Sequence, residues 1–388
     1  MTMGMMGVCS AAARGQSAGG GGGGVATGGQ GAAASSTPTP AVAAPVRPPD
    51  KAYNDPEASR AEIVNFVALN VQNLLNDSDT AAQSASREHL AGATTVAGGD
   101  APPAFLYEYA RALNDALSAK LDPAKTSVRQ RINIAIVTAR VAYVARNVML
   151  QDTAVKLLKD PAEPVVMWAL KAAQPLVPQV LRARGMARQV PPLIEQITPA
   201  VFRHPSGPIY YEAYVALGGA DQIIADKLVF DELTKLWQSR LTRYQKEVPH
   251  DPAVDGRPVF ALTSADMWRS IITTDEVKTR VMQMVADQLS AAAQWADRTP
   301  AGDQRDQLVQ LAQQCVGGAS VVGSHQNLTK LAGTSAAHGQ LAPRALAPGA
   351  PIGPIVAPVL QQIMADFKGV KQPPQIGPGP GASGVAQP

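Results

Sequence analysis

Two stretches of this chain, 44 residues apart, are written alike. Residues 157–173 read LLKDPAEPVVMWALKAA and residues 201–217 read VFRHPSGPIYYEAYVAL. A shift of 44 places Asp160 on His204, Pro161 on Pro205, Pro164 on Pro208, Val165 on Ile209 and Ala169 on Ala213. Each copy is a helix end, a proline-flanked turn and a second helix. Pro164 and Pro208 suit the first helical position, where a missing N–H costs nothing and the fixed φ helps. After them, Val165, Ala169, Ala172 and Ala173, then Ile209, Ala213, Ala216 and Leu217, fall on one helical stripe. Alanine along such a stripe lets two helices approach closely.

Looser copies flank the pair. Asp122-Pro123-Ala124 and Asp251-Pro252-Ala253 repeat the triplet Asp160-Pro161-Ala162, and residues 74–77 echo residues 157–160. The turn residues Asp77, Asp122, Asp160, His204 and Asp251 are 45, 38, 44 and 47 residues apart. These intervals surround the ~40–47-residue period of HEAT and armadillo units. Over residues 70–220, the leucine pair, aspartate, proline, valine and second-helix alanines resemble the HEAT repeat. The basic residue usual just after the valine is replaced by Val166 and Tyr210, and only Arg129 fits that slot. The resemblance implies stacked helix pairs. The residues by themselves also allow an irregular bundle whose Asp-Pro helix starts coincide.

The totals agree with an all-α chain. Alternating runs of Val, Ile, Thr and Tyr are missing, and only 5% of residues are aromatic. A net charge of +3 with interspersed signs leaves no clustered basic stripe, so a nucleic-acid groove is not expected. The most apolar run, 132–150, contains Arg140 and Arg146 and reads as a buried helix rather than a transmembrane one. Cys9 and Cys315 offer neither a supported disulfide nor metal-ligand spacing, and Cys315 reads as a small core residue.

Taken in order, residues 1–13 (MTMGMMGVCSAAA) end in the A-x-A-like pattern Ala11-Ala12-Ala13 without a charged start. Two readings stand: a truncated signal peptide on a bacterial protein exported to the periplasm or envelope, or an unstructured start on a cytoplasmic one. Residues 14–49 read as a Gly/Ala/Pro linker that cannot bury a core, with a mean span of about 30–36 Å. A helical-repeat domain is expected over 50–338. Its helices are predicted from Asp55-Pro56 to about 75, at 80–90 and from Pro102, then from Thr126 or Ser127 to 149. Short ones come next at 152–158, 164–173, 176–182, 192–202 and 208–217. Longer ones are expected at 221–246, 264–272, 274–295 and 303–316, with a last at 325–331. Residues 249–258 read as a polar loop. Residues 339–388 read as a Pro/Gly-rich tail with one amphipathic helix at 356–367, too short to stand alone and expected to dock.

Catalytic signatures are missing: there is no His-Glu-x-x-His, Gly-x-Ser-x-Gly or phosphate-loop pattern, and the five histidines are scattered. No catalytic, cofactor or metal residue is therefore assigned. The polar candidates are His204, His250, Asp251 and Asp255, which a fold could gather into a site. The candidates for partner contact are Tyr210, Tyr211, Tyr214 and Trp168, because tyrosine and tryptophan give large contact area with a polar tip. The expected function is a non-catalytic protein-interaction scaffold with an unidentified protein partner. A helical enzyme with a dispersed site and a cell-envelope structural protein are the alternatives.

Overall fold

The computed structural model describes residues 44–76, 78–184, 192–219, 222–345 and 350–376. The chain is all-α there apart from one antiparallel hairpin, β1 (Thr95–Val96) and β2 (Gly99–Asp100), joined through Ala97 and Gly98. Its helices begin with α1 (Asp50–Asn54), α2 (Arg60–Leu74), α3 (Thr80–Gly92), α4 (Pro103–Ser118) and α5 (Val128–Ala145). Next come α6 (Gln151–Leu158), α7 (Glu163–Arg184), α8 (Pro192–Arg203), α9 (Gly207–Gly218), α10 (Lys227–Tyr244) and α11 (Gly256–Leu262). The last are α12 (Ala265–Ser270), α13 (Asp275–Arg298), α14 (Asp303–His325), α15 (Thr329–Ala332), α16 (Ser335–Ala345) and α17 (Gly353–Asp366).

Local chemistry sets many of these starts. The Asp79 carboxylate accepts the Ala82 N–H at 2.8 Å and opens α3. Ser127 and Gln130 bond each other's backbone N–H groups in a capping box that opens α5. Asp226 and Thr274 cap α10 and α13 through their side-chain oxygens. Arg146, at φ 45°, turns the chain out of α5.

The helices pack as two rows. One row runs α2, α4, α6, α8, α10, α13; the other runs α3, α5, α7, α9, α11, α14. Each helix touches the next in its row, and α2–α3, α4–α5, α6–α7, α8–α9, α10–α11 and α13–α14 touch across the rows. The two similar segments thus lie on α7 and α9, which pack directly against one another. Ala169, Ala172, Ala173, Ala213 and Ala216 are wholly buried there, and their small size lets the backbones come close. Turns meet turns in the same register. His204 Nε2 lies 3.4 Å from the Asp160 carbonyl, Ser206 donates to Glu163 at 2.6 Å, and Arg203 donates to the Leu158 carbonyl. Asp160 also holds α5, accepting from buried Arg131 Nε at 2.6 Å while capping Ala162 N–H at 2.8 Å.

Several expectations need correction. Residues 164–173 and 176–182 form one helix, α7, with Pro175 and Pro178 inside it. Burial between α5 and α9 holds that helix together where local propensity would break it. Residues 256–262, partly assigned to a polar loop, form α11; Pro258 sits in the first turn, where no N–H is needed. The predicted helix to 149 stops at Ala145, and the one from 221 starts at Lys227. Asp77 lies outside the described residues, as do residues 1–43.

The tail is more ordered than its composition implies. Helix α17 buries Val356, Val359 and Ile363 and packs on α13, with Asp297 capping Ile352 and Gly353 at 2.7 and 3.0 Å. Beyond it the chain runs on without helix or strand to Ile376. It buries Phe367, Val370, Pro373 and Ile376, every third residue. Gln283 exchanges hydrogen bonds with the Lys371 backbone at 2.6 and 3.2 Å. Gln294 does likewise with Ile376 N–H at 2.8 Å and the Pro374 carbonyl at 3.2 Å.

Candidate functional site

Among the described residues, one face of the second row from α5 to α11 carries three clefts. A cleft of about 540 Å³ is formed by α3, α5, α7 and α9, around Tyr143, Trp168, Lys171 and Glu212. A second, of about 640 Å³, shares Tyr143 and Gln174 with it and extends past Arg146 and Arg182 to residues 222–226. A third, of about 650 Å³, lies between α9, α11 and α14 and is lined by Tyr211, Arg257 and Phe260. Tyr211 and Glu212 are neighbours on α9, so the clefts adjoin there.

Four consecutive helices of this row each place one aromatic ring on the face. Tyr143 on α5 and Phe260 on α11 are 65% and 64% exposed, and Tyr211 on α9 is 37% exposed. Trp168 on α7 is half-buried. Three of the rings carry a cation: Arg146 over Tyr143 at 5.7 Å, Lys171 over Trp168 at 4.7 Å and Arg257 over Tyr211 at 5.3 Å. Such pairs fix the ring. Lys171 also reaches Glu212 at 3.5 Å, and Gln174 donates to Glu212 at 2.6 Å. Arg140 is bound by Glu88 at 2.8 Å, and that hydrogen bond holds the Glu88 carboxyl below its ordinary range. Pro175 and Pro178 lack the N–H groups that would bond the carbonyls of Lys171 and Gln174.

Behind α9 lies a buried polar cluster. Arg240 Nε donates to both Asp255 oxygens at 3.0 and 3.1 Å, and a terminal nitrogen donates to the His250 and Asp251 carbonyls at 3.0 and 3.3 Å. Tyr214 and Tyr244 donate to Asp255 at 3.3 and 2.8 Å, and the guanidinium lies 5.0 Å over the Tyr210 ring. Burial works against the Arg240 charge, but the Asp255 carboxylate more than offsets this and holds the guanidinium above its ordinary pKa. Burial, then the Asp255 charge, pushes the Tyr214 and Tyr244 phenols well up. Both carboxylate oxygens are engaged, and both side chains of the ion pair are at most 1% exposed. The cluster joins α9, α10 and α11; no substrate can enter it.

The sequence candidates therefore divide. Tyr210 and Tyr214 are each 1% exposed and belong to the core, so they present nothing to a partner. Trp168 and Tyr211 do face the clefts. Asp255 is not a loop carboxylate but half of a buried ion pair. His250 is exposed and takes part through its carbonyl, and Asp251, in a left-handed backbone at φ 52°, caps nothing with its side chain. The Asp251 carboxylate packs so close to Gly207 that a Cβ there would lie 2.2 Å from its Oδ2. His204 belongs to the turn stack. The polar candidates are thus not gathered into one accessible site. No group of three or more His, Cys, Asp or Glu among the described residues is placed to hold a metal ion.

Sequence reasoning missed Tyr143, Phe260, Arg146 and Arg257. A signal existed: Arg140-Tyr143-Arg146, Trp168-Lys171-Gln174 and Arg257-Phe260 each set an aromatic three residues from a cation, on one helical flank. No described helix is long and apolar enough to cross a membrane. No family model, curated protein or solved structure matches the chain.

Proposed function

We propose that the protein is a non-catalytic, HEAT-like helical-repeat scaffold that binds a protein partner along the open face of its second helix row. The observation that carries this reading is the set of four rings, Tyr143, Trp168, Tyr211 and Phe260, one on each of four consecutive helices of that row. Isolated exposed apolar residues need no explanation, but a series of aromatics along one face is the composition of a binding surface. The polar groups best equipped for chemistry, Arg240, Asp255 and the tyrosines around them, are satisfied by each other and sealed. Stacked helix pairs also give an extended surface, which suits holding a partner rather than enclosing a small substrate.

The test is an affinity capture comparing the wild-type chain with a Tyr143→Ala/Trp168→Ala variant of equal stability. Partners kept by the first and lost by the second support the scaffold. Partners retained equally by both would remove this face from the function. Export, read from Ala11–Ala13, belongs to the same proposal and is checked separately by sequencing the N-terminus of the protein from the cytoplasmic and from the periplasmic and envelope fractions.

A further inference from the structure

We infer that the partner segment held by this face is a proline-rich, acidic stretch in the polyproline II conformation. The inference rests on the scaffold reading and adds the chemistry of what is bound. Its first support is spacing. Packed helices lie about 8–10 Å apart, so rings at matching heights on successive helices recur at about that interval. A polyproline II helix advances about 3.1 Å per residue with three residues per turn, so the same face recurs about every 9.3 Å. Prolines at i, i+3, i+6 and i+9 would meet the four rings in register across about 28 Å. A β-strand returns the same face about every 6.6 Å and drifts out of step by the second ring. Flat aromatic rings are the surface that prolines of such segments stack upon.

The second support is that this chain already holds an extended, proline-bearing segment, a basic one with Lys368 and Lys371. Residues 367–376 run without helix or strand and contain Pro373-Pro374. They bury every third residue and are gripped by Gln283 and Gln294, whose side-chain amides pair with the backbone. The open face offers related groups in Gln310 and Gln313 beside Phe260.

The third support is charge. Arg140, Lys171 and Arg184 on this face have carboxylate partners in Glu88, Glu212 and Asp226. Arg146, Arg182 and Arg257 have none within ion-pair distance among the described residues, so the clefts favour carboxylates between the prolines.

The experiment is a fluorescence-anisotropy titration of the full chain with labelled peptides. The periodic peptide is (Pro-Glu-Ala)4. Its controls are the same composition with the proline period scrambled, (Pro-Lys-Ala)4, and an amphipathic helical peptide of equal negative charge. The periodic acidic peptide is expected to bind about ten-fold or more tighter than each control, weakening as salt rises. Phe260→Ala and Trp168→Ala should each weaken it about ten-fold, the range of central interface aromatics. Equal binding of the scrambled or helical peptide overturns the inference and leaves the scaffold standing. So does binding of no peptide while a Trp168-dependent partner is still captured. Loss of both would bring down the scaffold reading as well.

Discussion

Arg240 and Asp255, fifteen residues apart in sequence, form an ion pair at 2.9 Å with side chains 1% and 0% exposed. It is the polar anchor at which α9, α10 and α11 meet, because the same carboxylate also takes hydroxyls from Tyr214 and Tyr244. That anchor positions α11, and α11 carries Arg257 and Phe260 on the open face.

Breaking one half of this pair should be severe. Arg240→Met leaves a buried carboxylate uncompensated and is expected to cost about 3–5 kcal/mol. An Arg240→Met/Asp255→Leu double variant removes both charges and should recover a large part of the loss. Urea denaturation of the single and double variants checks this. A double variant as unstable as the sum of its single changes would mean that the two residues are not coupled.

The same cluster, together with the buried Tyr109 on α4, sets the alkaline limit. Burial raises Tyr109, Tyr214 and Tyr244 well above the ordinary phenol value, so the folded chain keeps protons that the unfolded chain releases above about pH 10. Their contribution is present in full below the unfolded pKa and is lost as pH rises toward the folded values. Each such tyrosine should cost about 1.4 kcal/mol for every pH unit above that point. Urea midpoints measured between pH 8 and 11 should fall less steeply at the alkaline end for Tyr214→Phe than for wild type.

The turn stack offers a contrast at equivalent positions. Asp160→Asn breaks a buried pair with Arg131 and weakens the cap on Ala162, and should cost several kcal/mol, about the 3–5 kcal/mol of a broken buried pair. His204→Ala, 44 residues on, loses one long contact to a carbonyl and should cost under about 1 kcal/mol. Thermal unfolding of both variants checks the ordering.

Much of this architecture is legible in the sequence because the devices that start helices are local. Ser127 with Gln130, Thr274, and the first-turn prolines Pro164 and Pro208 act within three or four residues of themselves. What distance supplies is harder to read. Pro175 and Pro178 look like breaks, yet α5 and α9 hold α7 through them. Asp255 looks like a solvated loop carboxylate because its partners, at 214, 240 and 244, lie on other helices. Tyr143 hides in an apolar run and Phe260 in a segment rich in Gly and Pro. The i, i+3 spacing to Arg140, Arg146 and Arg257 separates them from the core.

The tail should behave as a latch. Gln283→Ala/Gln294→Ala removes four backbone hydrogen bonds to residues 371–376 while leaving α17 in place. Limited proteolysis should then cut near residues 370–376 much faster than in wild type. The Trp268 ring, 6.0 Å from Phe367, should report the release by its fluorescence. An unchanged cleavage rate would show that burial of Val370, Pro373 and Ile376, with the Arg298 bond to the Ile376 carbonyl, holds the segment.

Site-specific photocrosslinking in living cells addresses the binding face most directly. A photoreactive phenylalanine analogue is placed in turn at Tyr143, Trp168, Tyr211 and Phe260. Tyr107 on α4 and Phe202 on α8, exposed aromatics of the opposite row, serve as controls. A scaffold that binds along this face gives the same crosslinked partner from all four positions and none from the controls. Crosslinking from Tyr107 and Phe202 as strong as from the four rings, or from only one ring, would contradict it.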